Sequence, residues 1–207
     1  MNSYEGVVYI VEDDASFRNS MERLIRVAGY EVETFGTASA FLTNADIRYP
    51  GCLLLDVRLP DVDGLDLQQT LKEKCTILPI VFMTGHGTIP MGVKAIKNGA
   101  VDFLTKPFKS EELLTAVRDA LKRNVKDAEE ELEKSHINRL METLTPREQE
   151  VLRYVIAGKI NKDTAFELGT CEKTIKVHRS RIMRKTKVSS VAELVRLAQK
   201  VDILPVG

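Results

Sequence analysis

Four acidic residues stand directly behind two short apolar runs: Glu12-Asp13-Asp14 behind residues 7–11 (Val-Val-Tyr-Ile-Val), and Asp56 behind residues 52–55 (Cys-Leu-Leu-Leu). A hydroxyl, Thr84, follows a third run at 80–83, and Thr105-Lys106-Pro107 closes a fourth at 101–105. Carboxylates gathered in one crevice repel and raise each other's pKa, so such a cluster implies a bound cation. Carboxylate, carbonyl and water oxygens favour Mg²⁺, which keeps waters for a phosphate to displace. With a lysine and a hydroxyl on the same rim, this is the equipment of phosphoryl transfer: metal and ammonium neutralise the transferred group while a carboxylate acts as nucleophile. The plainer alternative, that Asp13 or Asp14 caps a helix and Lys106 is surface charge, accounts for any one residue but poorly for the whole set.

What must position them is a parallel sheet. The four runs are short, mostly continuous apolar segments that suit strands buried on both faces, while Glu31–Phe35 alternates polar and apolar residues and suits an edge. Helix-period stretches lie between them at about 16–28, 38–44, 64–73, 88–98 and 110–123, the last opened by Ser110 and a Glu pair. The order βα five times predicts an α/β, doubly wound sheet with right-handed crossovers. In strand order 2-1-3-4-5, strands 1 and 3 flank the topological switch point, where ligands bind beyond the carboxyl ends. Glu12, Asp13, Asp14 and Asp56 then converge there.

From about Leu121 the composition changes. Residues 122–142 hold neither Gly nor Pro, and Leu121, Val125, Ala128 and Leu132 form a short heptad fragment, which predicts a helical linker. Thr145-Pro146-Arg147-Glu148 reads as a capping box with Pro in the first turn and opens a new domain. Four helical stretches follow, at 146–157, 161–168, about 172–185 and 191–201, the second and third separated only by a short turn holding Gly169. That is helix-turn-helix spacing. The expected architecture is therefore a five-stranded sheet domain (1–121), a helical linker (122–142) and an all-α four-helix domain (143–207). Within 172–185, Ile175, Ile182 and Met183 mark the buried stripe. Lys173, Lys176, Val177, Ser180, Arg181 and Arg184 lie on the other side, a set suited to phosphates, base edges and a thymine methyl in a major groove.

The zero net charge hides an asymmetry: residues 1–121 carry 12 Lys and Arg against 17 Asp and Glu, and residues 144–207 carry 13 against 7. A basic terminal domain points to a polyanionic partner. Cys52, Cys75 and Cys171 form no Cys-x-x-Cys pair, which suits a reducing cytoplasm. No signal-peptide pattern and no span-length apolar run is present, so the expectation is a cytoplasmic protein.

The runs Val11-Glu12-Asp13-Asp14, Leu55-Asp56-Val57-Arg58-Leu59-Pro60-Asp61-Val62-Asp63-Gly64, Thr84-Gly85-His86-Gly87 and Phe103-Leu104-Thr105-Lys106-Pro107-Phe108 resemble the receiver domain of two-component response regulators, which has a flavodoxin-like fold. The resemblance implies phosphorylation of Asp56 by a sensor histidine kinase. It places Mg²⁺ on Asp13, Asp56 and the Arg58 carbonyl, with Glu12 acting through water. It also implies that Lys106 and Thr84 hold the phosphate, that Thr84 and Phe103 move together as the switch, and that Lys106-Pro107 is cis. Glu12 departs from the more usual Asp. His86 is not a catalytic position in this family.

Residues 144–200 resemble the LuxR-type output domain, through Leu144-Thr145-Pro146-Arg147-Glu148-Gln149-Glu150-Val151-Leu152, Gly158-Lys159-Ile160-Asn161-Lys162 and Lys173-Thr174-Ile175-Lys176-Val177-His178-Arg179. Together the halves resemble regulators of the FixJ/NarL type, the Thr-Gly-His-Gly run leaning to FixJ. This implies base contacts from Lys176, Val177 and Ser180. Lys173, Thr174, His178, Arg181 and Arg184 then serve backbone contacts or packing. Thr170-Cys171 stand where an apolar residue and a capping Ser or Thr are usual, so either the recognition helix starts loosely or Thr170 caps it.

The function expected is a transcription regulator that is not an enzyme toward other substrates. Phosphorylation pairs two receivers through helix 88–98, strand 101–105 and helix 110–121, and the partners are promoter DNA, a second copy and RNA polymerase. Two alternatives stand beside it. A haloacid-dehalogenase-like phosphatase needs an Asp-x-Asp pattern after strand 1, which Val11-Glu12-Asp13-Asp14-Ala15 lacks. A constitutive DNA binder would use its receiver only for protein contacts.

Overall fold

Along β1 (Val7–Val11) successive side chains part to opposite faces of a sheet, and every one of the five is buried. Val7, Tyr9 and Val11 join one core with Leu53, Leu55, Ile80 and Phe82, while Val8 and Ile10 join a second with Leu54, Val81 and Met83. The two-residue period of a strand thus divides a continuous apolar run between two helical layers. In the computed structural model, residues 6–74, 78–85 and 87–206 are described, so Cys75 and His86 lie outside the described residues.

The other strands are β2 (Glu31–Phe35), β3 (Gly51–Asp56), β4 (Ile80–Thr84) and β5 (Asp102–Thr105). All pairings are parallel and the order is β2-β1-β3-β4-β5, the doubly wound arrangement expected. Helices α2 (Ala38–Asn44), α3 (Gly64–Glu73) and α4 (Ile89–Lys97) supply Phe41, Leu67 and Ala95 to the first core. Helices α1 (Ala15–Val27) and α5 (Ser110–Glu142) supply Ile25, Leu113 and Val117 to the second. One expectation is corrected: β5 is not buried on both faces. It is the second edge, its residues half-buried or exposed, because among the described residues no strand pairs beyond it.

The chain divides after Ala128 into two compact units. That boundary falls inside α5, which runs unbroken through residues 122–142, where neither Gly nor Pro interrupts it. Of the heptad positions, Leu121 is buried and Leu132 is 68% exposed.

The second unit contains α6 (Pro146–Ile156), α7 (Asn161–Glu167), α8 (Glu172–Lys185) and α9 (Val191–Lys200). The capping box at Thr145 is formed in both directions, Glu148 N–H to Thr145 Oγ1 and Thr145 N–H to Glu148 Oε2. Val151, Leu152, Ile175, Ile182 and Leu194 fill the core, together with Ile137 and Met141 from the end of α5. Among the described residues no helix is long and apolar enough to cross a membrane.

Candidate functional site

Strand register brings the acids together. Val11 pairs with Leu55, so Glu12 and Asp56 leave neighbouring strands side by side. Met83 pairs with Asp56 and Thr84 with Thr105, and the Lys106 N–H donates to the Thr84 carbonyl at 2.8 Å. Residues nearly a hundred positions apart thus share one rim at the carboxyl ends of β1, β3, β4 and β5.

Glu12, Asp13 and Asp56 each offer one carboxylate oxygen, all within 4.8 Å of one another. An all-oxygen set of this kind fits a hard divalent cation. Glu12 and Asp56 are buried and Asp13 is exposed, so the cluster opens to solvent on one side. The Lys106 ammonium sits between the buried pair, Nζ lying 2.6 Å from Glu12 Oε2 and 2.6 Å from Asp56 Oδ2. Burial pushes the Glu12 carboxyl above its ordinary value, and the Asp56 charge adds to this against the pull of Lys106. Burial alone would lower the Lys106 ammonium, but hydrogen bonds to Asp56 and Glu12 outweigh it and hold it above its usual value. Arg58, whose carbonyl is an expected metal donor, gives its N–H to Asp56 Oδ1 at 2.9 Å.

Asp14 does not join the cluster. Its side chain turns back as the N-cap of α1, accepting from Ser16 N–H at 2.8 Å and Phe17 N–H at 3.0 Å. The helix start offers free N–H donors that a cation site does not, and those bonds hold its carboxyl below the ordinary range. The capping alternative therefore holds for Asp14, while Asp13 stays with Glu12 and Asp56.

Thr84 is buried, and Phe103 is half-buried with its ring 6.2 Å from that of Phe82. Gly87 lies between them. A Cβ there would come within 2.9 Å of Phe103 Cε1 and 3.0 Å of both Thr84 Cγ2 and Thr105 Cγ2. The Lys106-Pro107 peptide is cis.

Three residues escape the sequence reading. Arg18 Nη1 donates to the carbonyls of Glu12 and Asp13, fixing the backbone that carries the acids. Gly87 gives a glycine signal in the sequence, but its neighbours depend on the fold. Phe17 carries its ring 4.2 Å from Lys106 Nζ. In the sequence it is one more apolar residue in the period of α1.

In the second unit, Lys173, Lys176, Val177, Ser180, Arg181 and Arg184 are exposed and line one shallow concavity on α8, opposite the buried Ile175 and Ile182. Thr174 and His178 on the same helix are half-buried, and His178 Nδ1 is buried without a hydrogen-bond partner among the described residues. Cys171, not Thr170, is the N-cap of α8, and its side chain makes no capping bond. Its sulfur lies 3.2 Å from Thr174 Oγ1, a contact that lowers the thiol pKa. The α7–α8 pair, joined through Gly169, has the helix-turn-helix connection.

Comparison with known proteins agrees on both units. Residues 8–118 match the response regulator receiver domain and residues 142–198 match the bacterial regulatory proteins of the luxR family. The response regulator protein TmoT of Ectopseudomonas mendocina is 48% identical over 97% of this chain and 91% of its own length. The transcriptional regulatory protein FixJ of Bradyrhizobium diazoefficiens is 38% identical over 97% of this chain and 98% of its own. The solved structure of the response regulator StyR superposes with a TM-score of 0.74 at 44% identity, over 95% of this chain and all of StyR.

Proposed function

The chain belongs to the two-component response regulators that join a receiver domain to a LuxR-type DNA-binding domain, and from that membership we infer that Asp56 is the phosphoryl acceptor of a sensor histidine kinase. The carrying observation is the Lys106–Asp56 contact at 2.6 Å beside the Glu12–Asp13–Asp56 oxygens. An Asp56 carboxylate oxygen attacks phosphorus, forming an acyl phosphate, as the P–N bond to the donor imidazole breaks and that nitrogen keeps the electron pair. Asp13, Asp56 and the Arg58 carbonyl would hold Mg²⁺, with Glu12 acting through water, and the ion would supply charge neutralisation for the transfer. Lys106 and Thr84 bind the transferred oxygens. The chain turns over no substrate besides its own aspartyl phosphate.

Thr84 then draws toward the phosphate and Phe103 fills the space it leaves. The face made by α4, β5 and the first part of α5 (110–121) pairs with a second copy. The exposed apolar stripe Ile89, Val93 and Ile96 on α4 supports this pairing, since such residues gain by burial. Residues 1–121 act as receiver, 122–142 as helical linker and 143–207 as output domain. Paired output domains read two half-sites of promoter DNA, with Lys176, Val177 and Ser180 toward base edges. Lys173, Thr174, His178, Arg181 and Arg184 serve the backbone or packing, and RNA polymerase is the downstream partner. The protein acts in the bacterial cytoplasm.

The test compares the chain with Asp56→Asn. Acetyl phosphate with Mg²⁺ should drive dimerisation and tighten operator binding only when Asp56 is present. Dimerisation that persists unchanged in Asp56→Asn overturns the acceptor assignment. Affinity and oligomeric state that ignore beryllofluoride in the unsubstituted chain favour constitutive DNA binding instead.

A further inference from the structure

We propose that Phe17 is a positioning residue for phosphoryl transfer, its ring face holding the Lys106 ammonium by a cation–π contact. This rests on the reading of Asp56 as acceptor.

Lys106 Nζ lies 4.2 Å from the centroid of the Phe17 ring, well inside the distance at which a ring quadrupole attracts a cation. The Lys106 side chain is only 18% exposed, so water does little to screen that attraction. Among the described residues the ammonium thus has three partners: Glu12, Asp56 and the ring. The carboxylates have competing work, since both belong to the oxygen set that fits a divalent cation, and Asp56 is also the acceptor. The ring offers no lone pair to a cation and does not titrate. Of these partners it is the one that neither belongs to the oxygen set nor takes the phosphoryl group, so transfer leaves its face available to Lys106. A lysine stem has four rotatable carbons, and a donor aimed in advance at the developing charge contributes most to the transition state.

Phe17 is itself held from three sides. Its N–H donates to Asp14 Oδ1 at 3.0 Å, in the first turn of α1. Its ring meets that of Phe108 edge to face at 6.0 Å and 78°. Both rings pack on the core that includes Leu113 and Val117. Phe108 stands two residues beyond Lys106, so the Phe17 ring touches both the lysine head and the end of the Lys106-Pro107-Phe108 turn. This gives Asp14 a purpose beyond capping, because it seats the residue that seats the lysine. An ordinary core role for Phe17 needs apolar volume only. A positioning role needs a π face, and substitution separates the two.

Full-length chains carrying Phe17→Leu, Phe17→Tyr and Phe17→Trp are compared with the unsubstituted chain. One readout is the NMR shift of the Lys106 ε-methylene without metal, assigned with Lys106→Arg. The other is the rate of phosphorylation by phosphoramidate with Mg²⁺. The ring should shift the ε-methylene upfield. Phe17→Leu should abolish that shift and slow phosphorylation roughly three- to tenfold, whereas Tyr and Trp keep the shift and a rate within about twofold. A Leu variant that matches the unsubstituted rate overturns the proposal, as does a folded Tyr or Trp variant as slow as Leu. An unsubstituted chain that takes up no phosphoryl group refutes the acceptor reading itself. The NMR comparison still judges the Phe17–Lys106 contact in that event.

Discussion

Glu12 Oε2 lies 2.6 Å from Lys106 Nζ, the same distance that separates the lysine from Asp56 Oδ2. A glutamate at this position is long enough to share the acceptor's own counter-ion. Removing its charge should therefore act on the whole site. Glu12→Gln is expected to weaken Mg²⁺ or Mn²⁺ binding by roughly tenfold or more, since the acidic set that holds the ion and its waters loses one of its charges. Titration calorimetry measures this, and DNA binding by an artificially dimerised chain should stay unchanged.

Gly87 tests the coupling of Thr84 to Phe103. A methyl there meets side-chain carbons of Thr84, Phe103 and Thr105 at 2.9–3.0 Å, so at least one must shift. Gly87→Ala should cost about 1–3 kcal/mol of receiver stability, the usual range for overpacking, as measured by chemical denaturation. It should also disconnect phosphorylation from dimerisation: phosphate uptake persists while the monomer–dimer shift, followed by light scattering, falls.

Glu148 joins the capping box to α8, accepting from Lys185 Nζ at 2.6 Å. Burial raises its carboxyl, but Lys185 and the Thr145 N–H more than reverse this, leaving its pKa below the ordinary value. A depressed folded pKa means stabilisation that is complete above the unfolded glutamate pKa of about 4.3 and is lost as pH falls through the folded value. The output unit should thus lose stability on acidification from about pH 5 downward. Glu148→Gln should cost about 2 kcal/mol at neutral pH and flatten that loss. Hydrogen exchange of the α6 amides gives the readout.

Cys171 occupies the N-cap of α8 without a capping bond. Cys171→Ser should stabilise the output unit by about 0.5–1 kcal/mol, measured by urea denaturation. In the unsubstituted chain, an aromatic disulfide reagent should label exposed, acid-shifted Cys171 well before Cys52, whose thiol burial has pushed up to about 12.

Much of the site was legible residue by residue. Apolar runs of strand length, each with a chemical residue just past its end, identify Glu12, Asp13, Asp56, Thr84 and Lys106 as a set. The turn at Gly169 and the stripe of Ile175 and Ile182 identify α8 and its exposed cationic side. These are local patterns, and local geometry writes them at periods of two and 3.6 residues. Asp13 and Asp14 look alike in the sequence, yet one faces the acid cluster and the other caps α1. The apolar run at 101–105 resembles its neighbours, yet it forms a sheet edge. Phe17 matches any core residue of α1 until Lys106 arrives over its ring. Each of these was decided by the tertiary structure, because each depends on which distant strand or loop lies within a few ångströms. Strand register sets that distance, and no periodicity along a single segment carries it.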